Sequence, residues 1–458
     1  METLSPNSGA RLKMALLRIF IFLFLIPCLS YAKSITEIAP FNYDVVFTNP
    51  KCKKHFYKKP LINSYGQEIH FKTEGAYCTP SDNSALNKQK GNPHDKIIKW
   101  IKEPSTQEVF MTYLSFSKSS VIKGLCKAVK TRNLKLTILI DEKNRENQKR
   151  MNKVLKLKSC IDSNLDKPNT PVVLTGGHQG EGDNQTGYAH TKLILINPSS
   201  PDQVKIVFSS GNMSSGTTSH HENWHFLTTH RNTYFFQAHL CLKEGLLKHQ
   251  SSKSSFITFM SDCQKQIKLP PEDDLKVFFI PGDGRKAMKS LHQEFKKSID
   301  VKMAAHRFSN GSIIRAIKKN LERTNFQAKI IVDDDIYWTG LLQTNIGRNT
   351  LYEFEKLTML ESFGLNIKYL ETFADNIENP KSIQLQHNKF LIFTREDHNG
   401  TVFTGAGNLT GAAFYKNFEN FYLISIPEVH QKFLKQYDYL SSLSRSSKEL
   451  PLKLELPW

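Results

Sequence analysis

Short apolar runs alternate with stretches of helical spacing from Glu108 onward, and the alternation is written twice. Val109-Phe110-Met111-Thr112-Tyr113-Leu114 has the texture of a strand, Ser119 to Lys130 sets Val121, Leu125 and Val129 at helical spacing, and Leu134 to Asp141 is a second strand. The same order returns as a strand over Val301–Phe308, a helix over Ser312–Leu321 and a strand over Ala328–Asp333. Phe116 and Phe308 are 192 positions apart, as are Asp141 and Asp333. A whole β-α-β unit is therefore duplicated. Strands alternating with helices predict an α/β sandwich in each half. Residues 33–95 are polar, with Pro50, Pro60 and Pro80, and read as an irregular N-terminal segment. The polar stretch 264–274, with Pro270-Pro271, reads as a linker between a first half at 96–263 and a second at 275–458.

Two further apolar runs, Leu193–Ile196 and Phe390–Phe393, suit strands buried on both faces. Each is preceded by the same chemistry. The first copy reads His190-Thr191-Lys192, then Ser209-Ser210-Gly211-Asn212, then Glu222-Asn223-Trp224. The second reads His387-Asn388-Lys389, then Gly405-Ala406-Gly407-Asn408, then Glu419-Asn420-Phe421. The His, Lys and Glu pairs are each 197 apart and the Asn pair 196, so a one-residue length difference reconciles the copies. On a strand, alternation places each His and its Lys on one face. Two imidazoles can supply a nucleophile and a general acid for phosphodiester cleavage. Two Lys and two Asn can hold non-bridging oxygens and stabilise added negative charge.

This pattern resembles the phospholipase D superfamily, whose signature is HxK, an Asp five residues after the Lys, and a GSxN-like turn. Two positions depart from it: Asn197 and Thr394 stand where the Asp is expected, and the turns carry Ser209-Ser210 and Gly405-Ala406. The resemblance implies two duplicated phospholipase D-like α/β sandwich halves packed about a pseudo-twofold axis, with the active site at the seam and no metal or cofactor. It implies catalytic His190, His387, Glu222 and Glu419, with His190 forming a phosphohistidine and His387 acting as general acid. Lys192, Asn212, Lys389 and Asn408 would bind the substrate phosphate. Relatives carry a carboxylate near the spacing of Glu222 and Glu419 that orients the opposite half's His, which pairs Glu222 with His387 and Glu419 with His190.

A competing motif overlaps the first copy. His221-Glu222-Asn223-Trp224-His225 matches HExxH, which holds zinc when it lies on a helix. The following Phe226-Leu227-Thr228-Thr229 favours a strand, and on a strand the two His stand about 13 Å apart, too far for one ion. Asp333-Asp334-Asp335 reads as a strand end entering a turn rather than a cation site.

Charge and cysteines add a location. The chain is 458 residues with a formal net charge of +19. Arg11, Lys13 and Arg18 precede an apolar run from Ile19 to Leu29 and then Ser30-Tyr31-Ala32, the layout of a secretory signal peptide over 1–32 cleaved near Ala32. Cleavage leaves a net charge of +17, which favours polyanions such as nucleic acid or an anionic membrane surface. Basic residues crowd Lys51–Lys59 and Lys143–Lys158. Six cysteines then remain, an even number suited to an oxidising compartment, with sequential pairing the simplest of 15 arrangements. The expectation is a secreted or periplasmic monomeric phosphodiesterase acting on phospholipid head groups. A secreted metal-independent nuclease and a non-catalytic basic nucleic-acid- or envelope-binding protein are the alternatives.

Overall fold

In the computed structural model the described residues form two eight-stranded mixed sheets, each with seven main strands in matching order, and a separate two-stranded sheet of Phe56–Ile62 and Glu68–Phe71. The described residues are 34–38, 41–52, 56–62, 68–71, 78, 82–142, 144, 155–156, 159–160, 172–175, 182–343, 349–372 and 384–450, with 56–62, 68–71, 172–175 and 342 described by backbone alone. The expected signal segment and most of the two basic stretches, Lys51–Lys59 and Lys143–Lys158, lie outside the described residues or side chains.

The first sheet is built from β1 (Asn42–Thr48), β2 (Glu108–Tyr113), β3 (Lys135–Asp141), β4 (Val172–Thr175), β5 (Leu193–Ile196), β6 (Gln203–Ser209) and β7 (His220–His230). The second is built from β8 (Leu275–Ile280), β9 (Asp300–Ala305), β10 (Gln327–Asp333), β11 (Asn366–Leu370), β12 (Lys389–Thr394), β13 (Gly400–Gly405) and β14 (Glu419–Ile424). Their orders are β1-β7-β6-β5-β2-β3-β4 and β8-β14-β13-β12-β9-β10-β11, so each strand of the first has its counterpart seven numbers on. The duplicated β-α-β units are β2 and β3 around the helix Ser119–Arg132, and β9 and β10 around Gly311–Leu321. The α/β expectation and the duplication both hold.

The reading of 33–95 as irregular needs correction. Asn42–Thr48 pairs antiparallel with β7, from Asn42 opposite Thr228 to Thr48 opposite Glu222. It is the equivalent of β8, which pairs with β14 in the same way. Its sequence hides this role because β1 is an edge strand: Asp44 faces out to Lys96 and Lys432 at 2.7 and 2.9 Å, which breaks the apolar alternation. The stretch 264–274 is likewise packed rather than loose. The helix Lys253–Gln266 enters it, and buried Glu272 accepts the Phe235 N–H at the start of the helix Tyr234–Lys248.

Strand alternation divides the core. Leu193 and Leu195 of β5, with Phe390 and Ile392 of β12, enter one shared cluster with the helices Tyr234–Lys248 and Pro427–Ser442. Ile194 and Ile196 face a cluster belonging to the first half, and Leu391 and Phe393 one belonging to the second. Both strands are thus buried on both faces, as such apolar runs require. Across the shared cluster Phe208 and Tyr422 stack at 3.7 Å between ring centroids, and His239 Nε2 lies 2.9 Å from the Tyr422 hydroxyl. Removing a buried ring of this kind costs about 3–5 kcal/mol, so the halves are fastened along the seam that carries the site.

The cysteines pair sequentially as Cys52–Cys78, Cys126–Cys160 and Cys241–Cys263. The last staples the helices Tyr234–Lys248 and Lys253–Gln266 to each other. Among the described residues, no helix is long and apolar enough to cross a membrane.

Candidate active site

Both HxK segments sit where one half lends its backbone to the other. Asp141, at the end of β3, accepts the Ala189 N–H at 2.6 Å, and Asp333, at the end of β10, accepts the Gln386 N–H at 2.7 Å. The next amides cross the seam: His190 N–H donates to the Phe418 carbonyl at 2.9 Å and His387 N–H to the His221 carbonyl at 3.0 Å. The two histidines therefore stand just ahead of β5 and β12 rather than on them, a small shift from the sequence reading. Their lysines still share their side: Lys192 Nζ lies 3.0 Å from His190 Nε2, and Lys389 Nζ donates to the His387 carbonyl at 2.7 Å.

Each histidine meets the other half's glutamate. His190 Nδ1 is 2.7 Å from Glu419 Oε2, and His387 Nδ1 is 3.0 Å from Glu222 Oε1. Both glutamates are buried. Gly211 makes room for the first of them, since a Cβ there would collide with the Glu222 carboxylate. The two pairs differ in quality. The first is a well-formed hydrogen bond, and Glu419 Oε1 also accepts from Asn417 Nδ2 at 3.0 Å. In the second, the contact is close but out of line for a hydrogen bond, so His387 Nδ1 has no hydrogen-bond partner. Glu222 instead holds Trp224 Nε1 at 3.2 Å through Oε2 and faces His220 Nδ1 at 3.3 Å through Oε1.

Burial governs the electrostatics. It holds His190 down to about 4, against the opposing pull of Glu419 and with the help of Lys192. Burial likewise holds His387 well below the usual range, reinforced by Lys389, His306 and His220. Both rings are thus neutral near pH 7. Lys192 is lowered to about 8 by burial, and Lys389 is pushed well below its ordinary value by burial and then by Lys192. Two crowded lysines with neutral imidazoles face the two buried glutamates, and the lysines are positioned to hold an anionic phosphodiester. In the two symmetric turns, the buried Oδ1 atoms of Asn212 and Asn408 are both without a hydrogen-bond partner.

Asn197 and Thr394, which stand where the superfamily has Asp, lie away from this chemistry. Asn197 is five residues beyond Lys192, roughly 16 Å along an extended strand. Its Oδ1 accepts the Gln107 and Glu108 N–H groups at 2.8 and 3.2 Å, and its Nδ2 donates to Ser105 at 2.8 Å. An amide does there the fastening that a carboxylate could do, at the start of β2. The Thr394 carbonyl accepts the Ile299 N–H ahead of β9.

The zinc-motif residues separate. His221, Glu222 and His225 lie on β7, not on a helix. His221 turns away to Gln384 Nε2 at 2.8 Å, and His225 to the Tyr43 hydroxyl at 2.8 Å. The aspartate triplet is spoken for: Asp333 by Gln386, Asp334 by Thr372 and Trp338, and Asp335 by a two-point pair with Arg307. Sequence reasoning missed two residues, His220 and His306, whose rings stand 5.6 and 4.9 Å from that of His387. Strand alternation carried the signal for His220, because residues 220, 222 and 224 share a face of β7.

Residues 289–441 match a family model described as cardiolipin synthase, PLD-like domain. No curated protein matches the sequence. Among solved structures, the phosphatidylserine synthase of Haemophilus influenzae Rd KW20 is 13% identical with a TM-score of 0.50, over 77% of this chain and 84% of that one. The yeast tyrosyl-DNA phosphodiesterase is 10% identical with a TM-score of 0.44, over 72% of this chain and 85% of that one. Nuc, a phospholipase D family member from Salmonella typhimurium, is 22% identical with a TM-score of 0.29, over 37% of this chain and 95% of that one. The matched residues contain the second HxK copy, His387-Asn388-Lys389, where the resemblance to the phospholipase D superfamily holds, and the Haemophilus synthase shares the fold.

Proposed function

We propose that the chain is an exported phosphodiesterase acting at phospholipid head groups, by hydrolysis or transfer, through a phosphohistidine on His190. The observation that carries this reading is the crossed pairing of each HxK histidine with the glutamate of the opposite half. Neither half alone holds a complete set, and the seam unites them.

Glu419 fixes the proton of His190 on Nδ1 and leaves Nε2 as the nucleophile. Nε2 forms a bond to phosphorus while the bond from phosphorus to the leaving oxygen breaks. His387, protonated once the substrate's negative charge has entered, gives its proton to that oxygen. In the second step neutral His387 takes a proton from water, or from an acceptor alcohol, whose oxygen attacks phosphorus and releases His190. Lys192, Lys389 and the amides of Asn212 and Asn408 hold the non-bridging oxygens throughout.

Export to an oxidising compartment, with cleavage near Ala32, is supported by three sequential disulfides and by the basic and apolar run at the N-terminus. A second reading, a metal-independent nuclease, is favoured by the net charge of +19. The test is incubation of the mature protein with phosphatidylcholine vesicles and, separately, with single- and double-stranded DNA. Choline release supports the lipid reading and nicking the nuclease reading. Salt-sensitive DNA binding without turnover on any substrate would overturn both.

A further inference from the structure

We propose that His220, Glu222 and His387 form a zinc-class binding site that switches the enzyme off. One ring nitrogen of His220, a carboxylate oxygen of Glu222 and one ring nitrogen of His387 all lie within 4.8 Å of one another. Glu222 Oε1 is 3.3 Å from the first nitrogen and 3.0 Å from the second. Tetrahedral bonds of about 2.0–2.1 Å set ligand atoms roughly 3.3–3.4 Å apart, so two of the three separations already fit. The third, between the two imidazoles, is within 4.8 Å and needs a ring to turn before it fits.

The donors point to an occupant. His387 Nδ1 is buried without a hydrogen-bond partner, beside a carboxylate oxygen it approaches but does not engage in line. Trp224 fixes the other carboxylate oxygen, so Glu222 turns Oε1 toward both rings. Gly216 seats His220, since a Cβ there would collide with its ring. Two imidazoles and one carboxylate select zinc, cobalt, nickel or copper over magnesium or calcium. The fourth position is left to water. Lys192 and Lys389, one from each half, oppose a cation there, while Glu419 offsets part of their charge.

The duplication supplies a built-in control. The position equivalent to His220 is Asn417, which donates to Glu419 at 3.0 Å. The His190 side therefore holds its glutamate with an amide, and only the His387 side offers a second imidazole. The sequence motif HExxH named the wrong histidines, and the one residue it omitted faces the carboxylate.

The effect on turnover rests on the proposed phosphohistidine reading; the binding does not. A metal on His387 Nδ1 leaves Nε2 carrying a proton that it gives up poorly and prevents it from accepting another. Both the protonation of the leaving oxygen and the activation of water then stop. His190 stays free to react with a substrate whose leaving group needs no proton.

The test is calorimetric titration of chelator-stripped protein with Zn²⁺, together with the visible absorption of bound Co²⁺, in the wild type and in His220→Asn. The wild type should bind one ion per chain, and His220→Asn should bind at least about tenfold more weakly and lose the Co²⁺ bands. Zinc should silence the wild type, reversibly by EDTA, at concentrations where His220→Asn keeps its own zinc-free rate. Absence of stoichiometric binding, binding indifferent to His220→Asn, or zinc raising turnover would each overturn the proposal. Binding that follows His220 in a protein without phosphodiesterase activity would uphold the site and overturn only the reading of function.

Discussion

The two half-sites are copies in sequence but not in state. On one side His190 is hydrogen-bonded to Glu419, which is itself steadied by Asn417. On the other side His387 is crowded by His220 and His306, and its glutamate is shared. The residue equivalent to His306, 192 positions earlier, is Leu114. An oriented ring with a fixed tautomer suits a nucleophile. A ring whose Nδ1 is uncommitted suits a group that gains and loses a proton during the reaction. The asymmetry, rather than the motif, separates the two roles.

The largest expected effects come from the histidines' partners. Glu419→Gln should lower kcat on the order of 100-fold or more, by releasing the tautomer of His190. Glu222→Gln should cost less, because its contact with His387 is out of line. Equal losses in steady-state kinetics would erase the distinction drawn between the sides.

The pH response comes next. Lys192, lowered to about 8, should lose its charge as pH rises through that value, so kcat/KM should fall above about pH 8 rather than near 10.5. His190, lowered to about 4 in the folded chain, binds fewer protons than the unfolded chain between there and 6.5. Its contribution to stability is present above 6.5 and is lost as pH falls to about 4, on the order of a few kcal/mol. Thermal unfolding should therefore show a steeper loss over that window in the wild type than in His190→Asn. Parallel curves would contradict the neutral, buried ring.

Chelation should leave turnover unchanged, or raise it where adventitious zinc is bound. Loss of activity in EDTA, restored by zinc, would reverse the assignment of His387 as a proton carrier. The smallest effect is expected from Asn197→Asp, which restores the superfamily's residue: kcat should change less than about threefold, since position 197 lies a strand's length from the chemistry.

Much of this was legible in the sequence because the chain repeats itself. The spacings of His190, His387, Glu222 and Glu419 revealed a doubled site, and alternation in Leu193–Ile196 and Phe390–Phe393 revealed strands covered on both faces. What was hidden followed from weaker local signals. β1 carries Asp44 on an outward-facing edge, so its pattern reads as loop. His220 was masked by a helical motif laid over a strand. The quality of the two His–Glu contacts depends on side-chain angles that no spacing records.

The central claim is that His190 forms the covalent bond and His387 moves the protons. An aryl phosphodiester needs little help from an acid, so it should still phosphorylate a His387→Asn protein, and the adduct should persist because water is not activated. Intact mass followed by peptide mapping under mildly alkaline conditions, which preserve phosphohistidine, reads this directly. The account predicts a phosphoryl group on His190 in His387→Asn and none in His190→Ala. An adduct on His387, or rapid turnover of an ordinary substrate by either single variant, would contradict it.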